Sequence, residues 1–199
     1  MFLTFNRKWM VFITLMVGLL LPHLATAENG NDFSTAHLEA AERLVYAMGM
    51  YESLTIPTRK ILQQMRTSDP ATADLMAAVV EPFIDKEYIG HEFREFMASQ
   101  FDMETCRQLS EHWEGPIGRK FVATQVQLLT TGKARPLKFT RTEETIAKRF
   151  EKTPVFLAFA RAMPAIEARL AAFGKEIKVQ MAARMKEELV RRKEKASEN

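Results

Sequence analysis

Apolar residues along most of this chain recur three or four positions apart, and no stretch sustains the alternating pattern of a β-strand rich in Val, Ile and Thr. That periodicity restricts the fold to helices that bury one face each. A first helix opens at Phe33-Ser34, with Ser34 as its cap, Phe33 stapling against Leu38, and Leu38, Ala41, Val45 and Met48 as the inward face. A second runs from Ile56-Pro57 through Met65, and Asp69-Pro70 starts a third that carries Leu75, Met76, Val79, Val80 and Phe83. A fourth spans about Asp85 to Gln100 with Tyr88, Ile89, Phe93 and Phe96. The last long segment begins near Pro164 and places Ile166, Leu170, Phe173, Ile177, Met181 and Met185 on one stripe, with Gly174 as a point of bending. The expected architecture is all-α: a single-domain helical bundle of about seven to nine short helices.

Helices alone do not say where the chain works; its first 27 residues do. Arg7 and Lys8 are the only charges there, Val11 to Leu21 form a short apolar run, and Ala25-Thr26-Ala27 is a small-x-small cleavage site. That order is the layout of a secretory signal peptide, cut after Ala27. The alternative is an uncleaved anchor, but the run falls short of the about 20 apolar residues of a spanning helix. The expectation is therefore a periplasmic protein with three stretches: signal peptide 1–27, helical domain 28–190, and a polar, fraying tail 191–199. No transmembrane segment is expected after cleavage.

Losing the signal also resets the charge argument. The whole chain carries a formal +3, but removal of Arg7 and Lys8 leaves 26 basic against 25 acidic side chains. A near-neutral, exported chain is a poor nucleic-acid binder, so no nucleic-acid partner is expected. Cys106 is the only cysteine, so no intramolecular disulfide can form and packing must hold the fold. A buried structural thiol and a redox or intermolecular thiol are the two readings of Cys106.

The middle of the chain holds an internal repeat with an offset of 38 residues. Phe101 pairs with Phe139, Pro116 with Pro154, and Phe121 with Phe159. Thr140-Arg141-Thr142-Glu143 has the form of a capping box, and Asp102 caps the first copy. Trp113 and Phe150 supply large residues late in each leading helix, and Gly115-Pro116 and Thr153-Pro154 break and restart it. Each copy is a helix-break-helix unit. Two copies are too few for a stacked solenoid.

These residues resemble the signature of the bacterial domain-of-unknown-function family 2059. The resemblance rests on Phe139-Thr140, on the late aromatic at Trp113 or Phe150, and on the restart Pro116-Ile117-Gly118-Arg119-Lys120. It covers about residues 85 to 165, with weaker support from Ala40 to Tyr51. His112-Trp113 departs from the family's aromatic pair at its first position, Asp102 stands where threonine is usual, and the second copy lacks the Gly and Lys of the restart. The resemblance implies an exported helical protein without assigned chemistry, and it carries over no catalytic residue.

A direct search for chemistry assigns no catalytic residue, no metal and no cofactor. His91 and Glu95 lie four apart, and His112 has Glu111 and Glu114 beside it, but no HExxH arrangement occurs. No G-x-S-x-G elbow is present, and a Cys106–His112 pair lacks any local signature of a hydrolase. The Gly115–Lys120 turn is not a Walker loop, although amides at a helix start with Arg119 and Lys120 suit an anionic group. Binding is what remains. The candidate residues are Trp113, Pro116, Gly118, Arg119, Lys120, Phe139, Phe150 and Pro154, and the candidate partners are an apolar ligand or another envelope protein. The supply of Met and Phe favours adaptable apolar recognition, with plain core filling as the alternative. Self-association through the C-terminal stripe, as a homo-oligomer, is the second class of function.

Overall fold

A computed structural model describes residues 33–133 and 135–197, with side chains as far as residue 191. The signal peptide expected at 1–27 lies outside the described residues. Within them the chain is all-α and forms a helical bundle. The helices are α1 (Thr35–Ala47), α2 (Met50–Ser68), α3 (Pro70–Val80), α4 (Lys86–Gln100), α5 (Met103–Glu114), α6 (Pro116–Thr131), α7 (Arg141–Phe150) and α8 (Pro154–Ser197). A single 3-10 turn, Glu81–Phe83, joins α3 to α4.

Most helix starts follow from local chemistry. Ser34, Asp69, Asp85, Asp102 and Thr140 each cap a helix by accepting a backbone N–H from the first turn. Such a bond satisfies one of the donors that a helix leaves orphaned at its N-terminus. Thr140 and Glu143 form the full reciprocal box, with Glu143 Oε2 accepting from the Thr140 N–H at 2.8 Å. Pro70, Pro116 and Pro154 occupy first helical positions, where no backbone donor is needed.

Two prolines depart from that expectation. The second helix starts at Met50 rather than at Ile56-Pro57, so Pro57 lies inside it. Gly49, in the left-handed region at φ 70°, turns α1 directly into α2 and sets the earlier start. A side chain there would also meet Val122. The segment expected to begin near Pro164 is instead one helix of 44 residues from Pro154, with Pro164 and Gly174 inside. Pro164 and Ala160, whose carbonyl loses its helical donor, are both exposed, so water can serve the freed group. At about 1.5 Å per residue this helix is far from short, reaching about 65 Å. It also runs on without a break past residue 190, through Ser197.

The main core collects Leu44 and Val45 of α1, Ile89, Phe93 and Met97 of α4, Cys106 and Leu109 of α5, and Phe159, Ile166, Leu170 and Phe173 of α8. A second cluster joins Leu62, Ala77, Val80 and Ile84, with Met76 and Met181 against it. Helix α1 therefore lies between α4 and α5, while α3 supports the far part of α8. Arg169 of α8 ties the helix down further. Its guanidinium bonds Glu92 at 3.4 Å and Glu176 at 2.9 Å, and lies over the Phe93 and Phe173 rings. The C-terminal stripe is thus turned inward at Ile166, Leu170 and Phe173. Val179, Leu189 and Val190 face outward instead. No helix among the described residues is long and apolar enough to cross a membrane.

Candidate functional site

The two repeat copies share a local plan, α5-break-α6 and α7-break-α8, and their landmark rings meet in space. Trp113 lies edge-on to Phe121 at 6.2 Å and to Phe159 at 5.9 Å, and Phe159 stacks on Phe101 at 6.4 Å. Phe121 in turn contacts Phe139, 5.5 Å between centroids. On the other side His112 lies flat on Phe150 at 3.5 Å, and Phe150 meets Phe156 edge-on at 5.7 Å. Rings of copy one therefore touch rings of copy two at several points, forming one continuous aromatic array.

Burial grades across this array. Phe159, Phe101 and Trp113 are buried, whereas His112, Phe121, Phe139, Phe150 and Phe156 are half-buried. The half-buried rings form its outer edge. Edge-to-face and offset ring contacts of this kind are worth about 0.5–1.5 kcal/mol beyond simple area burial.

Lys120 brings a positive charge to that edge. Its ammonium pairs with Glu143 at 2.7 Å, donates to the Lys138 carbonyl at 3.4 Å and lies 5.9 Å from the Phe139 ring centre. Glu143 is therefore doubly engaged, by Lys120 and by its own capping box. Those bonds hold its carboxyl below the usual carboxylate range.

Of the residues singled out from the sequence, Trp113, Lys120, Phe139 and Phe150 come together here. Gly118 is buried beneath them, where a Cβ would fall on the Trp113 backbone, so only glycine lets α6 start this close to the end of α5. Pro116, Arg119 and Pro154 are exposed and point to no shared site; the prolines act as helix starts. Lys120 of the Gly115–Lys120 turn holds a carboxylate of the chain itself, that of Glu143.

The sequence marked Phe101, Phe121 and Phe159 only as repeat landmarks, and it passed over Phe156. The 38-residue offset marked all but Phe156 as landmarks but did not give their partners, since the start of each copy meets the end of the other: Phe101 meets Phe159, and Phe139 meets Phe121.

Cys106 and His112 do not form a catalytic pair. Burial pushes the Cys106 thiol up to about 12, and its sulfur faces the Phe101 carbonyl at 4.0 Å. A reactive thiol needs the opposite environment. Burial likewise pushes His112 down to about 4, which leaves it neutral at pH 7. His37 is a structural link, donating from Nε2 to the Phe101 carbonyl at 2.7 Å. Among the described residues no group of three or more His, Cys, Asp or Glu side chains is placed to hold a metal ion. No family model, curated protein or solved structure matches this chain.

Proposed function

We propose that this is an exported, periplasmic helical protein that binds an apolar ligand at the aromatic array, without catalysis. The observation that carries the reading is the meeting of the two repeat copies. Five half-buried rings, flanked by one lysine, lie at the edge of an otherwise buried cluster. Small-molecule sites are mostly apolar, with few well-placed polar groups, and this edge has that composition. The charge order and cleavage site of residues 1–27 support export, and the resemblance to the domain-of-unknown-function family 2059 supports the same address.

Mass spectrometry of extracts from the purified protein tests the binding claim. A co-purifying apolar molecule is expected in repeated preparations, and its loss on Phe121→Ala. Clean protein throughout overturns the claim, and a co-purifying envelope protein in its place would mean that the partner is macromolecular.

A second reading, self-association through α8, is favoured by one observation. Val179, Leu189 and Val190 are exposed on the C-terminal part of α8, Val179 at 71%. Sizing by light scattering tests it. A dimer that becomes a monomer on Val179→Glu with Val190→Glu supports the reading, and a monomer in the parent protein refutes it.

A further inference from the structure

Helix α7 is attached unlike its neighbours. It has ten residues and buries one of them, Ala147, whereas the twelve-residue α5 buries Cys106, Leu109, Ser110 and Trp113. A helix of that length is marginal on its own in water, so α7 depends on its docking contacts. Phe150 on His112 and Glu143 on Lys120 hold the helix itself, and Phe139, just ahead of its Thr140 cap, packs on Phe121. Each lies on the outer edge of the aromatic array. Behind them stand Trp113 and Phe159, already packed by the main core.

The three contacts also have a particular chemistry in common. They place one carboxylate on a half-buried ammonium, one apolar ring flat on His112 and another tilted against Phe121. A segment held this way occupies the array as a long-chain carboxylate would.

We propose that α7 is a displaceable cover, and that the ligand taken up beneath it is a long-chain carboxylate. Its head group takes the place of Glu143 on Lys120, and its hydrocarbon chain takes the ring faces that Phe139 and Phe150 leave. The exchange replaces an ion pair by an ion pair and ring contacts by apolar contacts, so the ligand regains much of the free energy that undocking α7 costs, and the net affinity comes from the additional apolar area its chain buries. Covers of this sort belong to the least stably anchored elements of a fold. The proposal rests on the binding reading above and specifies its ligand.

Calorimetric titration of the purified protein with oleate, and separately with oleyl alcohol, tests it together with hydrogen exchange of the α7 amides. Oleate is expected to bind more tightly than the alcohol, and Lys120→Met to weaken oleate about tenfold while leaving the alcohol unchanged. Glu143→Gln, which keeps the side chain's shape, is expected to strengthen oleate binding, since it removes the competing carboxylate. A residue serving only the fold would not give that sign. Bound oleate should speed exchange in α7 while α5 stays protected. Oleate binding that leaves α7 exchange unchanged or slower overturns the cover and spares the binding reading. Equal affinity for the two probes, untouched by Lys120→Met, overturns the carboxylate. No binding of either probe overturns this proposal, and the earlier reading then stands or falls on the extracted material.

Discussion

His112 lies face to face on Phe150, centroids 3.5 Å apart and planes 8° from parallel, and the contact joins the first repeat copy to the second. The imidazole is half-buried, and desolvation keeps it neutral down to about pH 4, against 6.5 for an unperturbed histidine. The unfolded chain therefore takes up the proton first as pH falls. The stability held by neutral His112 is complete above pH 6.5 and is lost progressively toward pH 4. Discounted for partial exposure, the loss is on the order of 1–2 kcal/mol. Urea unfolding at pH 7 and pH 5 should show it, and His112→Phe should flatten that window. The capping and paired carboxylates Asp102, Glu114 and Glu143 are held low, so their contributions go only at more acidic pH.

Gly118→Ala should cost about 1–3 kcal/mol, because the new methyl meets backbone atoms of Trp113 rather than a side chain that could swing away. Gly174→Ala should do the reverse. Nothing lies within 4 Å of the added Cβ in the interior of α8, so a gain of about 0.5–1 kcal/mol is expected. Thermal unfolding of the two variants checks both signs.

Arg169→Ala should cost about 2 kcal/mol. The change removes a side chain only 15% exposed, whose guanidinium lies between Glu92 and Glu176, and strips its cover from the Phe93 and Phe173 rings. Arg169→Lys should recover only part of this, since an ammonium cannot reach two carboxylates from one planar fork. Denaturant midpoints of the two variants give the comparison.

Cys106 should resist thiol reagents in the native protein. It is fully buried and its thiol is pushed up to about 12, so little thiolate exists at pH 8. Maleimide labelling followed by mass spectrometry should show modification only in denaturant. Rapid labelling of native protein would contradict the buried placement.

The parts of this fold legible in the sequence are those set by short-range chemistry. Ser34, Asp69, Asp102 and the Thr140–Glu143 box announced helix starts because a cap acts on amides two or three residues away. Proline was ambiguous for the same reason. Pro116 and Pro154 begin helices, but Pro57 and Pro164 lie within them, and what decides is whether surrounding packing and solvent can bear a missing hydrogen bond. The aromatic array was only half legible. The offset of 38 showed that Phe101 and Phe139 begin equivalent units, but the packing of Trp113 against Phe159 or of Phe121 against Phe139 is a long-range fact that no local pattern encodes.

Trp113 gives the central claim its most direct measurement. Residues 28–199 contain no other tryptophan, so emission of the signal-free protein reports on the aromatic array alone. Titration with oleate should shift that emission saturably, and Phe121→Ala should abolish the shift. Emission unchanged to the solubility limit of the probe, in protein that yields no extractable apolar molecule, would contradict the account.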